Sequence, residues 1–173
     1  MAWPRELVLV RHAESEGNVL ADHERGGLAI PSSRFGLTER GRKQAEYTGA
    51  YLRERYRNGF DTYYYSHYKR VQETGHIMFP DARFYEEPRL AEGSRGIWSE
   101  MTATEIAERY PHEAARKQKE GHYDYRPIGG ENWPDVEERI HSFLDTLARD
   151  CEGERVLIIV HGFWLHLFRH LVE

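Results

Sequence analysis

A chain of 173 residues holds one domain with its own core, and two domains would be a tight fit. Acidic and basic residues are mixed along it and sum to −5, which excludes the basic footprint of a nucleic-acid or anionic-membrane binder. The lone cysteine, Cys151, excludes an internal disulfide and any Cys-x-x-Cys zinc or redox pair. No signal-peptide core precedes the first strand, and the longest apolar run, Val156 to Val160, is too short to span a bilayer. The expected location is cytoplasmic.

In chain order, Leu7-Val8-Leu9-Val10 is the first predicted strand. The polar, glycine-containing stretch from Leu20 to Phe35 is a long loop. Thr38 caps a helix whose face carries Ala45, Thr48, Leu52 and Tyr56. Thr62–Tyr65 and Arg83–Tyr85 are weaker strands, separated by a short helix from Val71 to Phe79 that Pro80 stops. Thr102 to Glu105 has capping-box spacing, and the helix it starts ends before Pro111. Lys117 to Asn132 is a second long loop. The helix after Asn132 turns Val136, Ile140, Phe143, Leu144 and Leu147 to one side. Val156 to Val160 is the last strand, and Trp164 to Val172 the last helix. Continuous apolar strands suit burial on both faces, and their alternation with helices predicts an α/β domain over residues 1–173, with a mainly parallel sheet.

Both apolar strands end alike. The first runs into Arg11-His12 and the last into His161-Gly162. Ligands of open parallel sheets bind outside the carboxyl ends of the strands, so two histidines and an arginine are expected at one rim. A neutral imidazole is a nucleophile near neutral pH, and an arginine fork grips two oxygens of a phosphate. Such chemistry also needs a carboxylic acid to protonate the leaving oxygen.

Several motifs surround these residues. They are Leu9-Val10-Arg11-His12-Ala13-Glu14-Ser15-Glu16-Gly17-Asn18; Leu37-Thr38-Glu39-Arg40-Gly41 with Gln44-Ala45; and Ser66 to Thr74, a Ser-x-x-x-Arg-x-x-x-Thr element. Arg89-Leu90-Ala91-Glu92, Gly129-Gly130-Glu131 and His161-Gly162 complete the series. In this order they resemble the histidine phosphatase superfamily, which includes the cofactor-dependent phosphoglycerate mutases. The resemblance implies a three-layer α/β/α fold of the phosphoglycerate mutase type. It implies that His12 is phosphorylated, that Arg11, Arg70 and His161 surround the phosphate, that Asn18 donates a further hydrogen bond, and that Glu92 is the proton donor. On the sequence alone Glu86, Glu87 and Glu131 are rival acids. The implied enzyme needs no cofactor or metal and acts on a small phosphorylated substrate, without nucleic acid or membrane as partner. The run from Tyr125 to Glu131 is closest to a phosphatase-like branch.

Two alternatives stand beside this reading, a phosphoglycerate mutase and a non-catalytic phosphate-binding module on the same fold. The mutase pattern of a longer, arginine-bearing insertion between Glu92 and Gly129 is not recognisable. Ala13 stands where glycine is usual, and Phe163-Trp164 follows His161-Gly162 where smaller or polar residues are common, which points to an apolar or aromatic leaving group. Family members usually continue beyond the last helix, whereas this sequence stops at Glu173; an uncovered sheet edge would invite a homodimer. His166 and His170, spaced i, i+4, lack a third metal ligand and are expected on a helix surface. Arg116 to Lys119 is expected as a solvated face that steers anions.

Overall fold

The computed structural model describes residues 3–20, 31–99 and 101–172. Four strands, β1 (Glu6–Arg11), β2 (Thr62–Tyr65), β3 (Phe84–Glu86) and β4 (Arg155–Val160), form one parallel sheet in the order β1-β4-β2-β3. The helices are α1 (Glu16–Val19), α2 (Glu39–Arg55), α3 (Lys69–Met78), α4 (Ala103–Arg109), α5 (Pro111–Asp124), α6 (Trp133–Asp150) and α7 (Gly162–Val172).

The pleat of β4 divides the core. Val156, Ile158 and Val160 pack with Val136, Ile140, Phe143 and Leu147 of α6 and with Trp164 and Leu167 of α7. Leu157 and Ile159 point the other way, onto Ala45 and Leu52 of α2 and Val71 and Met78 of α3. This is the predicted three-layer α/β/α arrangement. The two apolar strands are not equivalent, however. All of Val156 to Val160 is buried, whereas β1 lies at an edge and is half-buried.

Local chemistry explains where the helices start. Thr38 Oγ1 accepts from the Gly41 N–H at 3.0 Å, while Asn132 and Asp135 cap each other's backbone N–H at 3.0 Å. The stretch from Lys117 onward departs from expectation, because α5 continues to Asp124. Pro111 occupies the first turn of α5, where a missing N–H leaves no bond unmade, so it starts a helix rather than only ending one. Arg116 pairs with Glu113 at 2.7 Å and Glu120 at 2.9 Å along this helix, so part of the predicted solvated basic face is tied down. Gly121, at φ 76°, supplies the left-handed bend near its end. Of the predicted loop from Leu20 to Phe35, residues 21–30 lie outside the described residues, and Ser32–Arg34 form a 3-10 turn.

Parallel pairing aligns Arg11 with Val160, so the residues that follow leave the sheet side by side. The His12 N–H donates to the Val160 carbonyl at 2.9 Å. Among the described residues, no helix is long and apolar enough to cross a membrane.

Candidate active site

The loop after β1 is held from behind by α2 and α3. The Ala13 N–H donates to Thr74 Oγ1 at 3.2 Å, and the Glu14 N–H donates to Gln44 Oε1 at 2.9 Å. Thr38 Oγ1 donates to the Glu14 carboxylate at 2.7 Å. A Cβ at Gly41 would lie 2.0 Å from the Glu14 carbonyl oxygen, so only glycine lets α2 come this close. The helix motif read from Leu37 to Gln44 thus acts as a backstop for the loop carrying His12.

His12 is buried, and its ring orientation follows from its partners. Nδ1 lies 2.7 Å from the Ala13 carbonyl, which can only accept, so Nδ1 carries the proton. Nε2 receives the Arg70 Nε–H at 3.1 Å, and since a guanidinium can only donate, Nε2 bears the lone pair. The same logic assigns His161. Arg70 Nη2 donates to its Nδ1 at 3.2 Å, leaving the Nε2–H for Ser66 Oγ at 2.9 Å. Arg70 Nη1 donates to the Ser32 carbonyl at 2.8 Å, and the guanidinium lies over the Tyr68 ring at 4.7 Å. One buried guanidinium therefore joins both histidines.

Burial pushes both imidazoles below their ordinary pKa, His12 to about 4 and His161 further, with the Arg70 charge adding to the effect. Unfolded imidazoles protonate near 6.5, so below that pH the unfolded chain binds more protons and stability falls as pH falls. Between pH 7 and pH 5 the two rings are expected to lower the unfolding free energy by about 4 kcal/mol together. Urea unfolding at the two pH values checks this; a loss under about 1 kcal/mol would mean that the folded protein protonates them freely.

Glu92 is half-buried, and burial raises its carboxyl pKa, opposed by the backbone N–H groups of Gly93, Phe163 and Trp164 and by the Arg70 charge. Its segment is clamped to α6. Arg89 holds Glu87 through two bonds of 2.8 and 2.7 Å and donates to Ser142 and Thr146, while its own carbonyl accepts from Trp164 Nε1 at 3.0 Å and Arg139 Nη1 at 2.7 Å. The rival acids are engaged elsewhere. Glu87 is held by Arg89, Glu131 by Arg139 and the Ser94 N–H, and Glu86 by Gln72.

A cavity of about 670 Å³ has Arg11, His12, Asn18, Arg70 and Glu92 in its walls. Arg11 is exposed and lies against Gly162, where a Cβ would sit 3.2 Å from its Nε. Asn18 Oδ1 accepts from the Ser15 N–H and Oγ at 2.9 and 3.0 Å, which leaves its amide NH₂ as the end available to a ligand. His161 is the exception among the predicted site residues. It is fully buried, is not in the cavity wall, and meets the site through Arg70. Sequence reasoning assigned no role to Ser66, Tyr68, Thr74 or Gln44. The signal available for two of them was the spacing of four from Ser66 to Arg70 to Thr74, which puts the last two on one face of α3. His166 and His170 are exposed, and among the described residues no group of three metal-binding side chains forms.

The family model of the histidine phosphatase superfamily (branch 1) matches residues 7–173. The chain is 33% identical over 160 residues to phosphoserine phosphatase 1 of Hydrogenobacter thermophilus, covering 90% of this chain and 70% of that one. It is 32% identical over 168 residues to a 2,3-bisphosphoglycerate-dependent phosphoglycerate mutase of Parvibaculum lavamentivorans, covering 92% and 75%. Its fold matches the crystal structure of the alpha-ribazole phosphatase from Shigella flexneri with a TM-score of 0.77 at 23% identity, over 95% of this chain and 78% of that one. With its motifs in order on the matching fold, this chain belongs to the histidine phosphatase superfamily.

Proposed function

We propose that the chain is a cytoplasmic phosphomonoesterase that works through a phosphohistidine on His12, without metal or cofactor. The observation that carries this reading is the orientation of His12. Its Nδ1–H is tied to the Ala13 carbonyl and its Nε2 lone pair faces the Arg70 guanidinium, in a cavity that Glu92 also lines. The relatives' names, phosphoserine phosphatase above all, support the reaction class. The one cysteine is a buried free thiol, which suits a reducing compartment.

In the first step Nε2 attacks phosphorus, the P–O bond to the leaving group breaks, and Glu92 gives its proton to the departing oxygen. In the second, the Glu92 carboxylate takes a proton from water, whose oxygen attacks phosphorus and frees His12. Arg70, Arg11 and the Asn18 amide stabilise charge on the transferring oxygens. His161 serves the anion by holding Arg70, with Ser66 holding His161 in turn.

The pH dependence follows in sign. Activity rises with pH as His12 loses its proton near pH 4, and falls again as Glu92 ionises above the ordinary carboxylate value. The kcat/KM profile for an alkyl phosphate is therefore expected to be bell-shaped with its optimum on the acid side. In Glu92→Gln the limb belonging to Glu92 disappears and kcat drops about hundredfold or more. A variant that kept that limb would remove Glu92 from the role of acid. Phosphate release also tests the reaction class: if isomerisation of 3-phosphoglycerate, with 2,3-bisphosphoglycerate present, outpaces it, the enzyme is a mutase.

A further inference from the structure

A second cavity, of about 350 Å³, opens beside the first, and Glu92, Gly93, Ser94, Arg95 and Trp98 line both. Glu92 thus stands where a phosphate site meets a separate cleft, the place a group leaving from phosphorus would occupy.

The cleft is walled by four aromatic residues, Trp98, Tyr125, Trp133 and Phe163. Each reaches it from a different part of the chain: the 3-10 turn Gly96–Ser99, the residue after α5, the start of α6 and the start of α7. Phe163 comes up beside Glu92 because position 93 is glycine; a Cβ there would lie 2.6 Å from the ring. Phe163 and Trp133 meet edge to face at 5.5 Å between ring centres. Trp164, by contrast, is fully buried in the core, so only the first residue of the Phe163-Trp164 pair shapes the cleft.

The polar atoms of Trp98 and Tyr125 are already used. Trp98 Nε1 donates to the Tyr125 hydroxyl at 2.9 Å, which donates to the buried Glu113 at 2.7 Å. Glu131 is taken by Arg139 and the Ser94 N–H. The Lys117 ammonium lies over the Trp98 ring at 4.8 Å. The cleft therefore offers ring faces, edged by Glu92, Arg95, Lys117 and His122. A polyol or amino-acid leaving group entering it finds polar partners only at that edge, whereas a flat apolar group meets the ring faces.

We propose that this cleft is the leaving-group subsite and selects phosphomonoesters of aromatic alcohols, with Phe163 and Trp98 setting the preference. The proposal rests on the hydrolase reading and narrows its substrate class.

The test compares 2-phenylethyl phosphate with glycerol 3-phosphate and phosphoserine, all primary alkyl esters, so that the wall rather than leaving-group reactivity decides. The wild-type kcat/KM is expected to favour 2-phenylethyl phosphate at least about tenfold, and Phe163→Ala and Trp98→Ala each to shrink that ratio severalfold. A ratio near one, or one favouring glycerol phosphate or phosphoserine while turnover persists, overturns the inference and leaves the hydrolase reading standing. Calorimetric titration of the wild type with 2-phenylethylphosphonate and ethylphosphonate separates the two claims. If no ester is hydrolysed, the hydrolase reading fails, and the titration still judges the cleft: about tenfold tighter binding of the phenyl compound supports it, and equal binding overturns it.

Discussion

His12→Ala is expected to lower kcat for p-nitrophenyl phosphate by at least about ten-thousand-fold, the scale seen when a nucleophile is deleted. The size of the effect follows from the absence of a substitute at that position. His161, the other imidazole at this rim, is 5.2 Å away between ring centres, fully buried and outside the cavity wall. Arg70 and the Arg11 charge remain in the variant, so inorganic phosphate should still bind and raise the melting temperature. Loss of turnover with phosphate binding retained separates a missing nucleophile from a collapsed site. Residual turnover within about a hundredfold of wild type would show that phosphoryl transfer bypasses His12.

Arg70→Met is the second large effect, and its direction differs between activity and stability. Arg70 is 8% exposed, and its guanidinium donates to three neutral acceptors, His12 Nε2, His161 Nδ1 and the Ser32 carbonyl. Among the described residues no carboxylate lies within ion-pair distance of it, and burial lowers its pKa while Glu92 opposes the shift. A buried charge without a close counter-ion is costly to fold around and useful once an anion arrives. Arg70→Met is therefore expected to lose about a thousandfold or more in kcat/KM yet to melt within a few degrees of the wild type. Arg70→Lys keeps the charge but cannot span three acceptors, so it should recover little of the loss. Melting curves with and without inorganic phosphate complete the test: the wild type gains stability from the anion and Arg70→Met does not. Unfolding of Arg70→Met by more than about ten degrees would make Arg70 a structural rather than an anion-binding residue.

The run Val156 to Val160 is covered on both faces because every residue in it is apolar, and a strand with no polar face needs that cover. Its placement beside β1 then brings His12 and His161 to one rim, as the strand ends imply. The edge position of β1 was not legible, because Leu7 to Val10 is as apolar as β4 and only the strand order distinguishes them. Glu92 could not be told from Glu86, Glu87 and Glu131 by spacing; partners distant along the chain, Arg139 for Glu131 and Gln72 for Glu86, divide them. His161 shows the same limit. Its rim position does not reveal that the ring lies buried between Ser66 and Arg70. Helix α5 is not legible in the sequence because Pro111 reads as a stop, whereas proline also suits a first turn.

The central claim is that phosphorus bonds to Nε2 of His12. The most direct measurement is rapid mixing with a phosphomonoester, an alkaline quench that preserves phosphohistidine, and phosphorus NMR with peptide mapping of the trapped enzyme. The account predicts one labelled residue, His12, phosphorylated on Nε2, because Nδ1 is protonated and held 2.7 Å from the Ala13 carbonyl. Label on Nδ1, label on another residue, or steady turnover with no labelled enzyme at any time would contradict it.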